Sequence, residues 1–292
     1  MADARGPAPV TGQERVSPPM PVPATSAGRE GLAALLRSPG RALLAFDFDG
    51  TLAPIVDDPE AARAHPGTAE PLRALAQTAG TLAVITGRPA AVAAEYSGLR
   101  DVPGVIVLGQ YGRQRWQAGT LQTEPPPPGL AQARLELPLL LDSAGAPEGT
   151  RVEDKGDALA VHTRQTANPV AALDRLRDPL AGLARRAGLA VEPGRFVLEL
   201  RPEGSDKGLA LKALAAERES AAVLFCGDDL GDRPAFLAIA ELRLQDVPGL
   251  AVYSSSAEVS ALAEDADLVV SGPDGVVGLL QALAAAFAPA GR

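Results

Sequence analysis

The chain has 292 residues, 46% of them hydrophobic and 3% aromatic, with a formal net charge of −9. That length supports one large core or two moderate ones, built from Ala, Leu and Val because aromatics are scarce. The acidic balance and the absence of a dense Lys/Arg run make nucleic acid an unexpected partner, and no stretch is apolar for the roughly 18 residues a membrane span needs. The one cysteine, Cys226, leaves no internal disulfide, which suits a reducing compartment and an expected cytoplasmic location.

The first stretch, Met1 to about Arg29, is rich in Pro, Ala, Gly and Ser. It lacks the basic start and apolar run of a signal peptide, so residues 1–40 are expected to form a disordered tail. Ala42 to Phe46 is a short apolar run ending in Asp47 and reads as a buried parallel strand. Residues 68–79 place Leu72, Leu75 and Ala79 on one helical face. Leu82 to Ile85 and Val105 to Leu108 are two further strands, which completes a strand–helix–strand grammar.

Pro125 to Pro128 then forms a stiff connector. Two runs with period-two alternation follow, 151–155 and 158–164, with Lys155-Gly156-Asp157 turning between them. A helix is predicted over 168–187 with Val170, Leu173, Leu176, Leu180 and Leu183 on one stripe, followed by strands at 189–192 and 196–201. After about residue 205 the first grammar returns. Ser205 is predicted to cap a helix starting near Lys207, and strands are predicted at 222–226, 250–253 and 268–270. The expected fold class is α/β: a doubly wound parallel sheet formed by 41–114 and 204–292, with an α+β module, 115–203, inserted between them.

The chemistry begins at Asp47-Phe48-Asp49-Gly50-Thr51, directly after a strand. Period two sets Asp47 and Asp49 on one side and Phe48 on the other. In open α/β sheets ligands bind beyond the carboxyl ends of the strands. Two carboxylates this close call for a cation, and a hard divalent ion bound through oxygen meets that need. One carboxylate could then attack phosphorus while the other moves protons. The same pair also fits a helix-capping turn.

Gly227-Asp228-Asp229-Leu230-Gly231-Asp232 follows a second apolar strand. Asp228 is the natural metal ligand from that side, with Asp229 beside it or acting through water. Asp232 precedes Pro234 and fits either a helix cap or support of the metal shell. Thr86 ends the second strand, where its hydroxyl and the adjacent amides could hold a phosphate oxygen. Lys207 starts a helix, where the dipole disfavours a cation unless an anion lies nearby.

These motifs, Asp47-Phe48-Asp49-Gly50-Thr51-Leu52, Val84-Ile85-Thr86-Gly87-Arg88, Lys207-Gly208 and Gly227-Asp228-Asp229, resemble the four motifs of the haloacid-dehalogenase (HAD) phosphatase superfamily. Val152-Glu153-Asp154-Lys155-Gly156, Ala160 to Arg164 and Leu198-Glu199-Leu200-Arg201-Pro202 resemble the cap of trehalose-6-phosphate phosphatases. The likeness covers residues 41–288. It implies a Rossmann-like core with an inserted α+β cap, Mg²⁺ as cofactor, and hydrolysis of trehalose 6-phosphate through an aspartyl phosphate.

On that reading Asp47 is the nucleophile, Asp49 the general acid/base, and Thr86 and Lys207 the phosphoryl-binding groups. Asp47, the backbone carbonyl of Asp49, and Asp228 hold the metal, with Asp229 and Asp232 behind them. Arg88, Glu153, Lys155 and Glu199 contact the substrate. Strand parity agrees, since Glu153 and Lys155 share one face, and Glu199 and Arg201 share another opposite Leu198 and Leu200. The same polar faces fit a solvated antiparallel sheet. Phosphatases for sucrose phosphate or mannosyl-phosphoglycerate, and a non-catalytic sugar-phosphate-binding regulator, are the alternatives. The expected partner is a small sugar phosphate, and the expected state is a monomer.

The chain departs from the family pattern at four positions. Gly231 and Arg233 stand where Thr and Glu are usual, Thr86 stands where Ser is usual, and Gln114 stands where Glu is usual.

Overall fold

The computed structural model describes residues 18–56, 58–194, 196–255 and 261–289. In chain order the elements are α1 (Ser26–Arg37), β1 (Ala42–Phe46), α2 (Ala69–Thr78), β2 (Thr81–Ile85), α3 (Ala90–Tyr96), β3 (Val105–Gly109), β4 (Gln114–Gln117) and β5 (Thr120–Thr123). Next come α4 (Leu130–Ser143), β6 (Arg151–Asp154), β7 (Leu159–His162), α5 (Pro169–Ala187), β8 (Leu189–Gly194) and β9 (Val197–Pro202). The chain ends with α6 (Lys207–Glu217), β10 (Ala222–Gly227), α7 (Arg233–Arg243), β11 (Gly249–Ser254), β12 (Leu268–Val270) and α8 (Gly272–Phe287).

The main sheet has eight strands in the order β12-β11-β10-β1-β2-β3-β4-β5. It is parallel from β12 to β3. Strands buried on both faces need apolar residues at every position, and β1 is buried throughout. Leu44 and Phe46 pack on one face with Leu35 of α1, Leu72 of α2 and Leu280 of α8. Leu43 and Ala45 pack on the other with Leu211 of α6 and Phe236 of α7. The sheet is therefore covered on both faces, as a doubly wound fold requires.

Residues between β5 and α6 form a second unit. Its four-stranded antiparallel sheet runs β6-β7-β9-β8. Leu159, Val161, Leu198 and Leu200 face Leu137 of α4 and Leu176, Leu180 and Leu183 of α5 in a separate core. Helix α5 starts on the Asn168 cap, whose side chain accepts from Ala171 N, and stops at Gly188 with φ 63°. Val170, predicted on the apolar stripe, is instead exposed.

Two expectations about the chain's layout need correction. The tail predicted through residue 40 contains α1, and its first 17 residues lie outside the described residues. Thr25 caps α1 by accepting from Gly28 N at 2.9 Å. Leu32 and Leu35 are buried, each worth about 2 kcal/mol of apolar burial. Gly31 brings the helix so close to β11 that a Cβ would overlap the Gly249 carbonyl. A Pro/Gly/Ala-rich composition concealed a short amphipathic helix whose small residues are contacts.

The insert was also predicted to start at residue 115, which lies in β4. That strand pairs antiparallel with β3, and β5 pairs with β4, so both extend the main sheet. Ala118 and Gly119 make the left-handed turn between them, with φ 49° and 80°. The strands are only half-buried or exposed, so they carry no apolar alternation to mark them.

Candidate active site

Parallel register brings the carboxyl ends of three strands side by side. Phe46 of β1 lies opposite Val84 of β2 and Cys226 of β10. The next residues out are therefore Asp47, Ile85 and Gly227, followed at once by Thr86 and Asp228. Asp47 N donates to Cys226 O at 2.8 Å, so the pairing continues one residue past the strand.

Asp47 and Asp228 are buried, and one oxygen from each lies with an Asp232 oxygen within 4.8 Å of one another. Lys207 closes the cluster, with Nζ 2.8 Å from Asp47 Oδ1 and 2.7 Å from Asp232 Oδ1. A cation at the first residue of α6 opposes the helix dipole, and these two carboxylates hold it there. The cap of α6 is Asp206, whose side chain accepts from Leu209 N at 2.7 Å, and not the predicted Ser205.

The charges do not balance. Burial, then repulsion from Asp229, Asp232 and Asp47, pushes the Asp228 pKa well above the ordinary value. Burial also pushes Asp47 well up, against the attraction of Lys207. Burial opposes the Lys207 charge, but Asp232, Asp47 and Asp229 together outweigh it and raise its pKa.

Gly50, with φ 73°, brings its backbone against the Asp228 carboxylate so closely that a Cβ would overlap it. A buried carboxylate beside a second one, with oxygen as the sole donor type, fits a hard divalent cation such as Mg²⁺.

Asp229 and Asp232 do different work from one another. Asp229 Oδ1 accepts from Gly231 N at 2.8 Å, capping a short 3-10 turn. Asp232 Oδ2 accepts from the amides of Asp228 and Asp229 at 2.9 and 3.2 Å. Asp232 thus fixes the loop that carries Asp228 while its other oxygen holds Lys207. Asp232 stands at the N-terminus of α7, but its side chain makes no capping hydrogen bond to that helix, so the helix-cap reading is corrected. Both oxygens are used on the Asp228 loop and on Lys207, within the acidic cluster.

Asp49 is not among the three clustered carboxylates. It forms a bidentate pair with Arg88, at 2.7 Å for both bonds. Thr86 is buried, and its hydroxyl accepts from Arg88 N at 3.2 Å, leaving the hydroxyl hydrogen to donate elsewhere.

The insert sheet covers this region with its polar face. Lys155 Nζ lies 2.5 Å from Glu199 Oε2, and Glu153 Oε2 lies 2.9 Å from His162 Nε2. Glu199 and Arg201 are 5% and 6% exposed, so this face is not a solvated one. Arg201 lies 4.5 Å above the Tyr111 ring and pairs with Glu192 at 2.8 Å. Glu199 Oε1 and Arg201 Nη1 are buried with no hydrogen-bond partner among the described residues.

Sequence reasoning missed how the two sheets are fastened. Gln110 Nε2 donates to Lys155 O at 2.5 Å and to Gly87 O at 3.2 Å. Arg113 Nε pairs with Asp157 at 3.0 Å. Among the departures, Gln114 Oε1 accepts from Ala90 N at 2.9 Å at the start of α3, a task either an amide or a carboxylate oxygen performs. Arg233 pairs with Asp265 at 3.0 Å.

A family model described as trehalose-phosphatase matches residues 45–274, from the last two residues of β1 to the start of α8. The chain belongs to the trehalose-phosphatase family.

Among curated relatives, a trehalose-phosphate phosphatase of Mycobacterium leprae is 37% identical over 226 residues, covering 71% of this chain and 49% of that protein. An uncharacterized glycosyl hydrolase of Mycobacterium tuberculosis is 36% identical over 211 residues, covering 66% of this chain and 15% of that protein. The chain thus matches only part of these longer relatives. The C-terminal domain of C. albicans trehalose-6-phosphate phosphatase superposes with a TM-score of 0.71 at 22% identity, covering 90% of this chain and 98% of that one. Its likeness shows a shared fold.

Proposed function

We propose that this chain is a Mg²⁺-dependent phosphatase that releases phosphate from trehalose 6-phosphate through a phosphorylated Asp47. The observation carrying the proposal is the buried Asp47 carboxylate, 2.8 Å from Lys207 and clustered with Asp228 at the ends of adjacent strands. Membership of the trehalose-phosphatase family supports the choice of substrate.

Bound Mg²⁺ would be held by Asp47, the backbone carbonyl of Asp49 and Asp228, and would neutralise charge on the transferring phosphoryl group. Lys207 supplies positive charge on the protein side, and Thr86 donates its hydroxyl to a phosphoryl oxygen. An Asp47 oxygen attacks phosphorus as the bond from phosphorus to the sugar oxygen breaks. Asp49 gives that oxygen its proton, yielding trehalose. Asp49 then takes a proton from water as the water oxygen attacks phosphorus. The bond to Asp47 breaks, and inorganic phosphate leaves.

The insert sheet supplies sugar recognition. Glu153, Lys155 and Glu199 would contact the sugar, and Glu199 Oε1 and Arg201 Nη1 are an acceptor and a donor without a partner among the described residues. Sugar hydroxyls satisfy both kinds of group, and a site built to bond a hydroxyl discriminates strongly against ligands lacking it. Among the described residues no helix is long and apolar enough to cross a membrane. A cytoplasmic, monomeric protein acting on a soluble sugar phosphate completes the proposal.

The test is phosphate release from trehalose 6-phosphate, sucrose 6-phosphate, a mannosyl-phosphoglycerate and glucose 6-phosphate, with Mg²⁺ and with chelator. Preference for trehalose 6-phosphate, loss on chelation and loss in Asp47→Asn are expected. Preference for another sugar phosphate would reassign the substrate. Binding without turnover would make the chain a regulator.

A further inference from the structure

Gln110 directly follows β3 and is buried. It and its neighbour hold three successive carbonyls of the loop after β2. Tyr111 N donates to Thr86 O at 3.1 Å, Gln110 Nε2 to Gly87 O at 3.2 Å, and Gln110 N to Arg88 O at 3.0 Å. Two of these three bonds come from the main chain, so the loop carrying the Thr86 hydroxyl stays held whatever side chain stands at position 110.

The same amide group reaches the insert. Nε2 also donates to Lys155 O at 2.5 Å, and Oε1 accepts from Asp157 N at 3.3 Å. Gln110 thus grips both ends of the Lys155-Gly156-Asp157 turn between β6 and β7, and here both bonds come from its side chain. Arg113 holds the turn a second time, 3.0 Å from Asp157 Oδ2. Lys155 Nζ lies 2.5 Å from Glu199 Oε2, so a shift of the turn disturbs that pair. A primary amide has two N–H donors and an acceptor oxygen. Both donors are used on carbonyls belonging to different sheets, and a carboxylate in the same place would set oxygen against oxygen twice.

A sugar phosphate has to span the two elements that Gln110 joins, with its phosphoryl group at Thr86 and its sugar at Lys155 and Glu199. Building on the phosphatase reading above, we propose that Gln110 is a positioning residue that sets the spacing between the phosphoryl-binding loop and the Lys155 turn, and so sets the preference for a sugar phosphate over phosphate esters that lack sugar hydroxyls. Its effect on turnover passes through Lys155, since the loop side keeps its main-chain bonds.

The test compares kcat/KM for trehalose 6-phosphate and for p-nitrophenyl phosphate, in the full chain with Mg²⁺. Gln110→Glu keeps the shape and removes both donors, and Gln110→Ala removes the whole group. Each is expected to lower the trehalose 6-phosphate value by about tenfold or more, because a small displacement of a positioning group costs up to ~100-fold. The p-nitrophenyl phosphate value should move by less than about twofold. In a Lys155→Ala background, Gln110→Ala should cost trehalose 6-phosphate turnover less than about twofold, since the group it positions is gone. Arg113→Gln loosens the same turn without touching Gln110 and should show a selective loss in the same direction, which keeps the test decisive if neither Gln110 variant folds.

Equal losses for the two esters, or a Gln110→Ala loss that persists undiminished in the Lys155→Ala background, would overturn the spacing role while leaving the phosphatase reading intact. Absence of sugar-phosphate turnover in the wild type would overturn both together.

Discussion

Asp228→Asn should raise the stability of the metal-free protein and abolish its stabilisation by Mg²⁺. Asp228 is buried beside Asp229, Asp232 and Asp47, whose charges repel its own. One of its oxygens lies within 4.8 Å of oxygens of Asp47 and Asp232. Two unit charges at that separation repel by about 3.5 kcal/mol at an effective dielectric constant of ~20. Lys207 offsets part of this, and the raised pKa lets Asp228 escape another part by taking up a proton.

An amide of the same shape removes the repulsion, so a net gain of about 2 kcal/mol is expected. That corresponds to a melting temperature about 4–8 °C higher, at ~2–4 °C per kcal/mol for a domain of this size. Added Mg²⁺ should reverse the order, because a ligand at 100 times its Kd stabilises the wild type by about 2.7 kcal/mol and the variant loses a ligand group. Thermal melts in chelator and in saturating Mg²⁺ read both effects. A variant that melts below the wild type in chelator would refute the reasoning, since the carboxylate would then be supporting the fold.

The other expectations use the same structure. Lys207→Met leaves Asp47 and Asp232 buried without their cation and should cost about 3–5 kcal/mol, read as the shift in a urea transition; an unchanged midpoint would remove Lys207 from the cluster's electrostatics. The pH dependence has a definite sign. Asp47 and Asp228 have raised native pKa values, so between the ordinary carboxylate value and those raised values the native state binds more protons than the unfolded one. Metal-free stability should therefore fall as pH rises through that window, and Mg²⁺ should flatten the slope. A metal-free protein that gains stability with pH there would contradict the assignment. Gly31→Val drives a side chain into the Gly249 carbonyl and should cost about 1–3 kcal/mol, read in the same urea transition. No loss would show that α1 does not dock on β11.

What the sequence reveals about this site follows strand ends. Asp47 and Asp228 each end an apolar run, and a buried strand in a parallel sheet is the segment such a run marks best. Adjacent strand ends share one edge of the sheet, so the two acids were legible as neighbours before any register was known. Lys207 was legible for a different reason, because a cation at a helix start demands an anion.

The Asp49–Arg88 fork was not legible. It joins residues 39 apart in sequence through the orientations of two side chains, and periodicity carries no orientation. The hairpin of β4 and β5 was lost for want of a buried face. Helix α1 was lost because glycines, read as signs of disorder, are what lets it approach β11.

The burial of the insert's polar face rules against a solvated antiparallel sheet. Alternation along β9 fits a sheet with one face in water equally well, but Glu199 and Arg201 are almost fully buried. Their burial depends on the segment after β3, where Gln110 and Tyr111 hold φ values of 50° and 58°. Two consecutive non-glycine residues in that region cost on the order of 1–3 kcal/mol each. The conformation sends the Gln110 amide to Lys155 O and sets the Tyr111 ring beneath Arg201. Backbone strain is thus spent at the junction of the two sheets, on contacts that hold Lys155, Glu199 and Arg201 over the strand ends carrying Asp47 and Asp228. A sheet that only shed water from its outer face would need no such fastening.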